Sequence, residues 1–77
     1  MTPSELINWI IDNRPVVNWK KHPGYATFAK AIYTLTAQYG INRKWDGEVK
    51  ARDVERLMKH GCSAEQIIAI FTLCFSK

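Results

Sequence analysis

His60-Gly61-Cys62-Ser63-Ala64-Glu65-Gln66-Ile67-Ile68, "HGCSAEQII", decides how the whole chain is read. A glycine just past a helical pattern supplies the left-handed residue that closes a helix. Ser63 followed three residues later by Gln66 is a capping box that opens the next one. The two helices therefore meet at a tight corner, as in a helix-turn-helix. A recognition helix needs polar and basic side chains along its exposed face. Residues 63–76 contain no Lys or Arg, and Ile67, Ile68, Ile70, Phe71, Leu73, Cys74 and Phe75 cover nearly the whole circumference. A helix apolar all round belongs at the centre of a bundle or against another chain. The corner thus reads as architectural, the last helix is expected to be central, and Ile68, Phe71 and Phe75 are the expected contacts to a partner or a second copy. The preceding helix also departs from a DNA-reading motif, with Leu57 where a small alanine lets two helices cross and His60 where an apolar residue is expected.

Working outward, Thr2-Pro3-Ser4-Glu5 reads as a helix start with a cap, a first-turn proline and a reciprocal glutamate. Leu6, Ile7, Ile10 and Ile11 form one buried face, and Arg14-Pro15 ends the helix near residue 13. The next segment, "PVVNWKKHPG", reads as a long connection. Val16 and Val17 have no second strand-like segment to pair with. A second helix is expected over residues 25–39, with Phe28, Ile32, Leu35 and Tyr39 on its buried side, closed by Gly40 with Ile41 as the apolar contact. A third is expected to begin between Asp46 and Ala51 and to run to His60, burying Val54, Leu57 and Met58, extended by Val49. Glu48 with Arg52 and Glu55 with Lys59 would be i, i+4 pairs on its wet side. The expected architecture is a single all-α domain over residues 1–77, a compact four-helix unit with two aromatic and basic loops.

Composition narrows the function classes. The 77 residues, 47% hydrophobic and 12% aromatic, allow one small core and no second domain. Residues 14–60 hold ten Lys or Arg against four acids, 10 − 4 = +6, whereas the flanking segments sum to −2 and zero. A centred basic surface fits an anionic partner, of which nucleic acid is the commonest, as well as a merely soluble basic one. Cys62 and Cys74 form no disulfide framework and suit reduced thiols in the cytoplasm. Together with His22 and His60 they lack any metal-ligand spacing, so no metal and no cofactor is expected. The amino terminus lacks a signal-peptide pattern, and the longest apolar run, residues 67–71, is far short of the ~20 residues a membrane span requires. No phosphate loop, nucleophile constellation or paired carboxylates can be assembled, and a non-enzymatic role is expected.

Charge and aromatic residues meet in two places. "NWKK" at Asn18-Trp19-Lys20-Lys21 and "NRKW" at Asn42-Arg43-Lys44-Trp45 each set a tryptophan beside a basic pair. Single-strand binders combine rings that stack on bases with cations that follow phosphates. Small cores also recruit tryptophans from loops, so Trp19 and Trp45 carry both a core reading and a stacking one. Trp9, on the first helix, reads as core. Lys50, Arg52, Arg56 and Lys59 complete the candidate surface.

The order from residue 25 to residue 71, a helix ending Tyr39-Gly40, a basic linker, a helix ending Gly61, then Ser63-Ala64-Glu65-Gln66-Ile67-Ile68, resembles the helical carboxyl-terminal domain of DnaD-type replication-initiation and helicase-loading proteins of firmicutes and their phages. The family's later segment with a Tyr-Ile and a Trp, implicated in its DNA binding, has no counterpart up to Lys77. The resemblance implies a helical fold and a replication-accessory role with DNA or a replication protein as partner. The expected function is that of a cytoplasmic accessory protein of a phage or mobile element, binding nucleic acid, with single-stranded DNA favoured. The alternative is a protein-interaction module or inhibitor of a host or defence complex, with a homodimer as one form of association and no membrane contact.

Overall fold

The computed structural model describes residues 1–42, 44 and 46–75. Among these residues there are four helices, α1 (Pro3–Asn13), α2 (Pro23–Gln38), α3 (Ala51–Lys59) and α4 (Ala64–Phe75), with a 3-10 turn at Trp19–Lys21 between the first two. No strand occurs among the described residues, and Val16 and Val17 lie in an exposed connection.

The caps set these boundaries. Thr2 Oγ1 accepts from the Glu5 amide at 3.2 Å while Glu5 Oε1 accepts from the Thr2 amide at 2.9 Å, closing a capping box at the start of α1. That contact also holds the Glu5 carboxyl below its ordinary pKa, through the Thr2 backbone first and its hydroxyl second. α2 begins at Pro23 rather than at Tyr25, because the His22 imidazole Nδ1 accepts from the Gly24 amide at 2.9 Å and Pro23 suits the first turn. α3 begins only at Ala51. Asp46 accepts from the Glu48 amide at 3.0 Å, in a turn ahead of the helix, and the helix is opened by Asp53, whose carboxylate accepts from the Lys50 amide at 2.8 Å. Gly40 and Gly61, at φ +73° and +100°, end α2 and α3, and the amides of Ile41 and Cys62 return to Thr36 and Leu57 at 2.9 Å each. At the corner Ser63 and Gln66 cap each other reciprocally, and Tyr39 OH donates to Gln66 Oε1 at 3.0 Å, tying the end of α2 to the start of α4.

Leu6, Phe28, Leu57 and Ile67, one from each helix, are fully buried at the centre. α2 lies along α4, α1 packs against α3, and α1 also meets α4. The expected buried faces are narrower than the periodicity suggested. Ile11 is exposed, and Ile7, Tyr39, Val49 and Met58 are half-buried at the edge of the core. α4 is likewise one-sided and not apolar-covered all round: Ala64, Ile67, Phe71 and Phe75 are buried, Ile68, Ile70 and Cys74 are partly so, and Leu73 stands 82% exposed. Two neighbouring helices cannot wrap a third completely in so small a domain.

The approach of α2 to α4 depends on one glycine. A Cβ built on Gly24 would collide with the carbonyl oxygen of Cys74, backbone against backbone, with no flexible side chain to give way. An Ala in a helix normally gains up to ~1 kcal/mol over Gly, but forcing an atom into packed backbone costs ~1–3 kcal/mol. The collision should dominate. Gly24→Ala is expected to lower the melting temperature by roughly 5–10 °C, given the ~4–8 °C per kcal/mol usual for domains of this size. An unchanged melt would mean that the two helices do not approach so closely.

Candidate nucleic-acid interface

The candidate surface is assembled from the 3-10 turn, residues 46–50 and α3. Trp19 opens the turn, and its ring points inward. Its centroid lies 5.0 Å from Tyr25, 5.6 Å from Phe28, 5.6 Å from Phe75 and 6.1 Å from Phe71. Offset and edge-on ring packing of this kind belongs to aromatic cores. Trp19 is half-buried and serves the core with its ring, and Trp9 does likewise, edge-on to Phe71 at 5.3 Å.

The turn and residues 46–50 lie side by side. Lys20 Nζ is 3.0 Å from Glu48 Oε1, and the Val49 amide donates to Tyr25 OH at 2.9 Å. The Glu48 carboxylate, by hydrogen bond first and by charge second, raises the Lys20 pKa. Lys50 Nζ pairs with Asp46 Oδ2 at 3.2 Å. Both pairs are solvent-exposed and so worth little for stability. Their electrostatic effect is larger in consequence: each places an acid against a cation that the sequence assigned to an anionic partner. Glu48 is engaged by Lys20, Glu48 precedes the helix that was expected to contain it, and no ion pair joins Glu55 to Lys59, so neither expected i, i+4 pair describes α3.

What remains is a stripe on α3 itself. Arg52, Arg56 and Lys59, at i, i+4 and i+7, share one side of the helix and are exposed. Asp53, Val54 and Leu57 take the other side into the core. None of the three cations is joined to an acid among the described residues. Lys21 and Lys44 are exposed elsewhere on the basic surface, and Arg43 and Trp45 lie outside the described residues. The structure thus groups three of the ten expected nucleic-acid contacts on one helix face, gives Lys20 and Lys50 acidic neighbours, and commits the Trp19 ring to the core.

The partner contacts expected on α4 change as well. Phe71 and Phe75, 3% and 8% exposed, are taken up by the chain's own aromatic cluster, which removes them from an outer interface, and Ile68 is half-buried. Among the described residues Leu73 is the exposed large apolar side chain on that helix. Sequence periodicity could not single it out, because apolar residues occupy nearly every side of α4.

A half-open apolar cavity of about 170 Å³ lies between α1 and α3, walled by Ile7, Ile10, Ile11, Trp19, Val49 and Val54. Burial pushes up the pKa of both the Cys62 and the Cys74 thiols. Among the described residues no group of three or more His, Cys, Asp or Glu converges as metal ligands, and no helix is long and apolar enough to cross a membrane. The chain matches no family model, no characterised protein and no solved structure.

Proposed function

We propose that the protein is a non-enzymatic, nucleic-acid-binding accessory protein that engages phosphate groups through the exposed face of α3. The observation that carries the reading is the row Arg52, Arg56 and Lys59, exposed and without acidic partners among the described residues, in a chain of net charge +4. Arg and Lys neutralise phosphates and release their counterions, so affinity gained this way falls linearly in log–log terms as salt rises. The replication-accessory role of a phage or mobile element, implied by the DnaD-type resemblance, belongs to the same proposal, as does residence in the cytoplasm.

A second reading, a protein-interaction module without nucleic acid, is favoured by Leu73, an apolar side chain 82% exposed on α4. One titration separates the two. Wild-type protein is expected to bind labelled mixed-sequence nucleic acid of about 20 nucleotides at low salt and to release it as salt rises from about 50 to 200 mM. Arg52→Gln with Arg56→Gln and Lys59→Gln should keep the helical circular dichroism and flatten the salt dependence by roughly two to three log units per log unit of salt. Absence of binding, or a triple variant that binds as tightly as the wild type, would leave the interaction module in front.

A further inference from the structure

Resting on the phosphate-binding reading, we infer that the α3 face takes the backbone of double-stranded nucleic acid, lying along it sideways, without reading bases and without preferring single strands. Three features of the surface lead there. The first is the charge at the amino-terminal end of α3. A recognition helix enters the major groove with its amino-terminal residues against base edges. Here that end is flanked by Asp46 and Glu48, and the Asp53 carboxylate closes it by accepting from the Lys50 amide at 2.8 Å. Asp46 and Glu48 are paired with Lys50 and Lys20 and Asp53 is buried, so this end presents acid–base pairs, whereas Arg52, Arg56 and Lys59 run along the flank towards the carboxyl-terminal end. The helix is built to lie on a backbone and not to point into a groove.

The second is spacing. With a rise of ~1.5 Å per residue, Arg56 lies ~6 Å and Lys59 ~10.5 Å beyond Arg52 along the axis. A duplex presents one charge per ~1.7 Å of its own axis, fixed in place, so a rigid row of three cations meets a phosphate within side-chain reach at each position. A single strand presents fewer charges per length and must be ordered before it can match a fixed row.

The third is the position of the rings. Single-strand binders recover the ordering cost by stacking bases on open aromatic faces. Trp19 stands next to the basic turn, but its ring packs against Tyr25, Phe28, Phe71 and Phe75. Among the described residues Tyr33, on α2, is the most exposed aromatic side chain, at 37%. Among the described residues the α3 face offers cations and no stacking platform.

The test titrates the full chain against a duplex of about 20 base pairs, against each of its separated strands, and against a scrambled duplex, across salt. The duplex should bind several-fold more tightly than either strand, and the scrambled duplex should bind equally. Each of Arg52→Gln, Arg56→Gln and Lys59→Gln should remove about 0.9 from the duplex salt slope. Equal or tighter binding of the single strands, with quenching of tryptophan fluorescence, would overturn the duplex inference and keep the nucleic-acid reading. A marked preference between the two duplexes would overturn backbone-only contact. Binding to none of the probes would remove the nucleic-acid reading and this inference with it.

Discussion

Phe71→Ala is expected to cost about 3–5 kcal/mol, the range for truncating a buried aromatic ring. Phe71 is 3% exposed and sits where three elements converge: edge-on to Trp9 at 5.3 Å, perpendicular to Phe28 at 5.7 Å and against Phe75 at 4.8 Å. Removing the ring opens a void lined by other rings, which cannot close without moving α4 on α2. At ~0.05–0.15 kcal/mol per residue, a domain of this length has roughly 4–12 kcal/mol in all, so the loss takes a large fraction of it. The melting temperature should fall by about 15 °C or more. Thermal and urea melts followed by circular dichroism check this. The outcome also separates core from interface, because a residue waiting for a partner would leave the monomer's melt nearly unchanged. A shift of only a few degrees would return Phe71 to the outer surface of α4.

The sequence displayed those features of the fold that depend on near neighbours. Thr2 with Glu5, Ser63 with Gln66, and the glycines Gly40 and Gly61 each act within a few residues, and the structure uses all of them. The start of α2 was less visible because a histidine is an uncommon cap, and only the fold aims the His22 ring at the Gly24 amide. Asp46 presented the opposite difficulty. It is a good cap by type, but its carboxylate accepts from the Glu48 amide, in a turn that precedes α3.

The candidate surface was legible in composition and not in arrangement. Periodicity placed Arg52 and Lys59 on the wet side of a helix, where they are, with Arg56 beside them. It could not show that Lys20 meets Glu48, since the two residues belong to different connections that only the packing of α1, α2 and α3 brings together. Nor could it choose an inner and an outer face for α4. When apolar residues lie on nearly every side the pattern carries little phase, and the partners available, α1 and α2, leave Leu73 uncovered.

Trp19→Ala decides which of two roles that ring performs, because the roles have opposite signatures. As a core residue it joins the 3-10 turn to α2 and α4 through four aromatic neighbours, all within 6.1 Å. It is half-buried, so its truncation should cost less than that of a fully enclosed ring, about 2–4 kcal/mol, or roughly 10–25 °C in melting temperature. Trp19→Phe keeps a ring in the cluster and should recover more than half of the loss. As a stacking residue it would behave the other way, leaving stability intact and weakening nucleic-acid binding by ~1–3 kcal/mol. Measuring both quantities at a temperature where each variant remains folded separates them. The expected result is a destabilised Trp19→Ala protein whose affinity and salt dependence match the wild type, since the α3 cations do not touch this ring. A stable Trp19→Ala protein with weakened binding would instead put the turn, with Lys20 and Lys21, at the centre of the interface and restore single-strand stacking as its mechanism.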